Sequence, residues 1–211
     1  MKHYLLFILI LFSSCKSDFT SEKQMHAWIN NPENGIIKSK TIGDLSYTIK
    51  YLPPEFLAFN ELKRSEKTSQ AYIDSLILYY NGSLTFLLTI EVKDAPNGNS
   101  PLTMNINNYA EYKDRIEKLN FELDDFLTLV VNEKNFKPLV WTLENTYNIG
   151  NKSNLFIVFG DNVNGENLLN NQNLELVFND ELFMTGINKF NFDTEKMKNI
   201  PSIKFWQTLK N

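Results

Sequence analysis

A chain of 211 residues with one cysteine, two histidines and eight glycines has little material for most catalytic chemistries. Its single thiol, Cys15, excludes an internal disulfide, so stability has to come from a buried core. His3 precedes that cysteine, which leaves His26 as the histidine of the main body. A Ser-His-Asp or Cys-His site needs such a base, but His26 falls inside an amphipathic segment and reads as a helix-surface residue. No G-x-S-x-G elbow accompanies it. One histidine without a second thiol cannot build a zinc site, and no glycine spacing forms a phosphate-cradling loop. No cofactor or metal is expected. Positive charge is also short: the formal net charge is -4, and arginine occurs only at Arg64 and Arg115. That balance gives no pull toward nucleic acid, which is excluded as a partner.

Long apolar runs are missing too, apart from Tyr4–Phe12. Nine residues cover about half of the roughly 20 that a spanning helix needs, which is the length of a signal h-region. Lys2 precedes the run, and Phe12-Ser13-Ser14-Cys15 closes it with small residues and the thiol. With Leu11 just before, this segment resembles the lipobox of bacterial type II signal peptides, although Phe12 stands where that pattern prefers a branched aliphatic residue. The resemblance implies cleavage before Cys15, a thioether to diacylglycerol, and an acyl group such as palmitate on the new amine. One chain binds a membrane reversibly and two or more hold it, so the implied partner is a membrane gripped through acyl chains on Cys15. Lys16 follows the cysteine where the inner-membrane retention signal has aspartate. The implied location is therefore the outer membrane, facing either the periplasm or the cell surface. Lys16-Ser17-Asp18, with Phe19 and Glu22, is similar to the short charged tags that send some lipoproteins to the surface.

Residues 1–14 thus read as a lipoprotein signal peptide, 15–20 as an acylated cysteine with a short tether, and 21–211 as a single domain. Removal of the leader takes one lysine and no acid, moving the net charge from -4 to -5. Periodicity predicts a helix over Ser21–Asn30 with Met25, Trp28 and Ile29 on one face. Strands follow at Ile36–Thr41 and Leu45–Tyr51, the second alternating cleanly. Pro54 opens a helix to Arg64, and Thr68 or Ser69 caps the next, ended by Asn81-Gly82. A long strand, Ser83–Lys93, a loop Asp94–Pro101 and a helix Asn107–Leu119 come next. The alternating charges from Lys113 to Lys118 suggest a solvated helix face. From Phe126 the pattern turns to strands at Phe126–Asn132, Leu139–Tyr147, Asn154–Gly160 and Leu174–Asn179. Leu155–Phe159 is apolar on both faces and belongs in the middle of a sheet. Asn179-Asp180 suggests a two-residue hairpin into Glu181–Thr185, and Thr194–Asn199 a short final helix. The fold class is α+β, a single domain with a mainly antiparallel sheet, helices concentrated in the N-terminal half and strands in the C-terminal half.

Remaining motifs offer little chemistry. Gly160-Asp161-Asn162-Val163-Asn164-Gly165-Glu166 is rich in oxygen ligands, but aligning Gly165 with the invariant EF-hand glycine puts Gly160 where an acid is required. Glu122, Asp124 and Asp125, or Asp180 and Glu181, could supply the paired carboxylates of a glycoside hydrolase. Both clusters fall in turns, where acids are solvated. Asp74-Ser75-Leu76 is similar to a short O-glycosylation acceptor of Gram-negative envelope proteins. Phe183–Phe192 and Asn31-Pro32-Glu33-Asn34-Gly35 resemble segments of uncharacterised Gram-negative envelope lipoproteins, and that likeness carries no activity. The expectation is a non-enzymatic, lipid-anchored envelope protein that binds a protein partner or supports an assembly. The alternatives are a periplasmic immunity-type protein against a secreted toxin and a carboxylate-dependent hydrolase.

Overall fold

The computed structural model describes residues 18–67, 69–94, 100–145, 150–204 and 206. The expected signal peptide with Cys15, Thr68, residues 95–99 of the expected loop and residues 146–147 of the expected strand lie outside them. The chain starts with α1 (Glu22–Ile29), then β1 (Ile37–Ile42), β2 (Leu45–Leu52), α2 (Pro54–Leu62), α3 (Gln70–Tyr80) and β3 (Ser83–Val92). It continues through α4 (Tyr109–Phe121), α5 (Leu123–Phe126), β4 (Leu127–Val131), β5 (Lys134–Phe136) and β6 (Val140–Leu143). The last third holds β7 (Lys152–Gly160), β8 (Asn162–Val163), β9 (Glu166–Asn167), β10 (Asn173–Asp180), β11 (Gly186–Asp193) and α6 (Thr194–Lys198).

The architecture is α+β, as the sequence pattern predicts, but the strands divide into two antiparallel sheets in place of one. Five strands run in the order β1-β2-β3-β7-β6 and four in the order β11-β10-β4-β5, with β8 and β9 as a small hairpin. Alternation explains the layers. Leu45, Tyr47, Ile49 and Tyr51 of β2 and Leu84, Phe86, Leu88 and Ile90 of β3 are buried on one face of the first sheet. Leu174, Leu176 and Phe178 of β10 and Phe190 and Phe192 of β11 are buried on the second. These two faces meet: the Tyr47 and Phe178 rings lie 5.9 Å apart, and those of Phe86 and Phe192 5.3 Å. Aromatic pairs at such spacing contribute beyond their buried area, and sheet-on-sheet packing gives one continuous core.

Helix caps match the sequence signals. Ser21 accepts from the Gln24 N–H at 3.3 Å, and Ser69 accepts from the Tyr72 N–H at 3.3 Å. Pro54 occupies the first turn of α2, where its missing N–H is harmless. α2 and α3 form a hairpin with its own small cluster of Ala58, Leu62, Ile73 and Leu76.

Three expectations change. The hairpin turn is not at Asn179-Asp180: β10 runs through Asp180, and β11 starts at Gly186. Asp180 is 1% exposed and accepts from the Phe183 N–H at 2.8 Å, so its side chain caps the following turn from inside the strand. Met184 and Gly186, with φ of 61° and 73°, carry the backbone round. Secondly, the Lys113–Lys118 stretch is not all solvated. Lys113–Glu117 and Asp114–Lys118 are exposed i,i+4 pairs at 3.4 and 2.8 Å, but Arg115 between them is buried. Thirdly, the packed chain begins ahead of residue 21. Phe19 is 2% exposed and bridges to Ile203, with its N–H donating to Ser202 O at 2.8 Å.

The C-terminal segment is pinned to the same corner by Glu55, which accepts from the Ile203 N–H at 2.8 Å. Burial raises the Glu55 carboxyl above its ordinary value of 4.5, against the opposing pull of that N–H and of Lys204. A raised acid means that the folded chain holds the proton more tightly than the unfolded one. Its contribution is therefore full below 4.5 and is lost as pH rises through the folded value. Glu55→Gln keeps an acceptor without the charge. Urea denaturation should find the two chains equal in acid, with the gap opening in favour of the variant toward pH 7.

Candidate functional site

A concavity lies on the far face of the five-stranded sheet. That face is graded along the strands. At one end Ser46, Glu91 and Lys152 share a cross-strand row, with Lys152 Nζ 3.4 Å from Glu91. The next row joins Ser39, Thr48, Thr89 and Asn154, with Ser39 Oγ 2.9 Å from Thr48 and Thr89 donating to Asn154 at 2.7 Å. Then the chemistry changes. The third row is Lys50–Leu87–Phe156–Thr142, and the fourth is Leu52–Thr85–Val158–Val140. The face therefore passes from polar to apolar within about 14 Å, since alternate residues on a strand are ~6.8 Å apart.

α2 stands over the apolar half and makes a groove of about 540 Å³. Its floor is Lys50, Leu52, Leu87 and Phe156, and its walls are Phe56, Leu57, Asn60 and Glu61 of α2, Arg64 in the turn that follows it, and Tyr80 of α3. Residues 56, 57, 60 and 61 share one helical face, which is why a single short helix supplies most of a wall. Pockets of this size commonly hold small ligands.

The charges in the groove are unequal. Glu61 accepts a hydrogen bond from the Tyr80 hydroxyl, and burial, then that bond, raises the phenol above its ordinary value. Lys50 donates to Asn30 Oδ1 at 2.5 Å, and loss of water pulls its ammonium below its ordinary value. Arg64 is exposed, with no side-chain ion pair or hydrogen bond among the described residues. Two cations against one occupied carboxylate leave the lining net positive in a protein whose formal charge is -4.

Beyond Phe156 the apolar surface reaches the sheet edge. Leu139 is 73% exposed, Val140 55% and Phe156 39%. β6 is the terminal strand of its sheet, and Trp141 fixes it to α4 by donating to Leu119 O at 3.1 Å. Single exposed apolar residues are ordinary, whereas here three lie at or near one sheet edge.

Other candidates from the sequence are dispersed. Asp124 and Asp125 both pair with Lys137, at 2.9 and 3.1 Å, on the surface. Asp180 points into the core while exposed Glu181 bonds to Asn179 at 3.1 Å, so that carboxylate pair diverges and cannot flank a glycosidic bond. His26 sits on α1, 3.3 Å from Glu22 and edge-on to the Phe56 ring at 5.6 Å. Around Gly160–Glu166 the oxygens are engaged locally: Asn162 Oδ1 accepts from the Gly165 N–H at 3.1 Å and Asp161 Oδ2 from Asn167 at 3.2 Å. Ser75 of the Asp74-Ser75-Leu76 motif lies on α3 and donates to Tyr72 O at 2.7 Å. Among the described residues no cluster of three metal-ligating acids, histidines or cysteines occurs, and no helix is long and apolar enough to cross a membrane.

Sequence reasoning did not find the groove. Its one trace there was the two-faced apolarity of Leu155–Phe159, which signals that Phe156 and Val158 face something other than open water. No family model matches this chain, and comparison with curated proteins and with solved structures likewise found no match.

Proposed function

We propose that this is a lipid-anchored envelope protein, held at the outer membrane by acyl chains on Cys15, whose domain binds a protein partner and is not an enzyme. The lipobox-like Phe12-Ser13-Ser14-Cys15 and Lys16 after it support the anchor. The packing of Phe19 against Ile203 supports a short tether, since four residues reach at most about 14 Å. An anchored domain would then keep its Phe19 corner against the lipid, with no long stalk between.

The observation that carries the binding role is the exposed apolar edge formed by Leu139, Val140 and Phe156. A free edge strand can add a partner strand, and its apolar side chains supply the contact area. Photocrosslinking in the native envelope tests this. A crosslinking amino acid placed at Leu139 should give one discrete protein adduct, and the same group at Ser46, on the polar end of the face, should give none. Equal adducts from both positions, or none from Leu139, would count against a partner at this edge. Val140→Asp should remove the Leu139 adduct without lowering thermal stability, because the side chain already faces solvent.

A further inference from the structure

We infer that the groove between α2 and the five-stranded sheet is a binding site for a single-chain amphiphile with a monoanionic head, a medium-chain carboxylate. Its head would lie at Lys50 and Arg64, and its chain across Leu87 and Phe156. The site stands beside the partner edge and needs neither that partner nor the anchor to hold.

Three observations carry it. First, the floor is one cross-strand row, Lys50–Leu87–Phe156, so a cation and an apolar end are fixed at two strand spacings, about 10 Å. A ligand matching that row must be charged at one end and apolar along its length. Second, the charge count selects the sign and the magnitude. Lys50 and Arg64 line the groove with one acid, Glu61, whose carboxylate already accepts from Tyr80, and the remaining single positive charge complements a monoanion. Third, the walls continue the same division: Phe56 and Leu57 are apolar, while Asn60 and Arg64 can donate to a head group. The volume of about 540 Å³ accommodates one chain and not a two-chain phospholipid. Lys50 is also held in a half-buried position at the edge of apolar surface, where a neutral residue would pack with less desolvation. Binding of an anion there restores to the ammonium what burial has removed.

The test uses the full chain in phospholipid nanodiscs and a decanoate probe with a photoactivatable diazirine at the far end of its chain. Adducts are located by peptide mass spectrometry. The expected adducts fall in peptides carrying Phe156, Leu87 or Phe56, and are displaced by unlabelled decanoate but not by decyltrimethylammonium. Lys50→Gln should weaken labelling about tenfold or more, as loss of a charged hydrogen bond does, and Lys50→Arg should restore it. Phe156→Ser, at a partly exposed position, should weaken it about tenfold by removing apolar contact. Circular dichroism confirms that each variant is folded. The inference is overturned if decyltrimethylammonium competes equally, if both variants label as the unaltered chain does, or if adducts are confined to peptides outside the groove. It is also overturned if groove labelling appears only in Cys15→Ser, because the chain's own acyl group would then be the occupant.

Discussion

Asp180→Ala is expected to destabilise the fold by about 3–5 kcal/mol, the usual effect of removing one partner from a buried charged network. Asp180 accepts from the Tyr47 hydroxyl at 2.5 Å, from the Thr185 hydroxyl, and from the Phe183 N–H at 2.8 Å. Tyr47 belongs to β2 in one sheet and Asp180 to β10 in the other, so this bond ties the two layers through the core. Burial, then the bond to Asp180, pushes the Tyr47 phenol well above its ordinary value, which keeps the hydroxyl protonated as donor. Alanine would leave the Tyr47 hydroxyl and the Phe183 N–H without this acceptor, at about 1–3 kcal/mol each, while the Thr185 hydroxyl keeps the Tyr47 oxygen at 3.1 Å. A melting temperature lower by roughly 10 °C should follow for a domain of this length. Tyr47→Phe, which leaves Asp180 two of its three donors, should cost only about 1–2 kcal/mol. If Asp180→Ala proves as mild as Tyr47→Phe, the network does not join the sheets as described.

The second large effect is expected at Arg115. Its Nη1 lies 3.0 Å from Pro101 O, 3.4 Å from Leu102 O and 2.7 Å from Met104 O, while Nη2 donates to Leu182 O at 3.1 Å. The guanidinium also stacks 4.8 Å from the Phe183 ring centroid. One side chain therefore gathers the segment before α4 and the β10–β11 turn onto the core. Burial lowers the guanidinium from its ordinary value, and nearby Asp180 opposes that shift. Arg115→Ala removes these contacts together and should cost about 3–4 kcal/mol by denaturant unfolding. Arg115→Lys should recover less than half of it, because a point charge cannot fan out across several carbonyls. Asp180 and Arg115 hold the same Leu182-Phe183 turn, so the double variant should lose less than the sum of the two single losses. Strict additivity would mean that the turn is not shared.

These two residues also show what the sequence could and could not reveal. The alternation of Leu45, Tyr47, Ile49 and Tyr51 identifies β2 and its buried face because both signals are local. Asp180 misleads because Asn-Asp is turn chemistry, yet here the aspartate is inside, satisfied by a tyrosine more than a hundred positions earlier. Arg115 misleads in the same way: flanked by solvated ion pairs, it has its acceptors at residues 101–104 and 182. The groove is more distant still from sequence pattern. Lys50, Leu87 and Phe156 become neighbours only when three strands pair in register, and no single segment encodes that row. The segment from Leu139 reads as a strand in the sequence, but its place at the end of the sheet depends on the order β3-β7-β6.

The proposed anchor and the proposed binding surface occupy separate parts of the chain: a lipobox-like segment ahead of Phe19, and a sheet face whose apolar half runs from the groove to β6. The proposed anchor would hold the domain within a few residues of a membrane. Intact-mass and peptide mass spectrometry of the protein isolated from its native envelope decides whether that anchor exists. The expected result is a mature chain that begins at Cys15, with that residue carrying diacylglycerol and an acylated amine, and a Cys15→Ala chain that leaves the membrane fraction. A mature chain cut elsewhere, with Cys15 absent or unmodified, would contradict it.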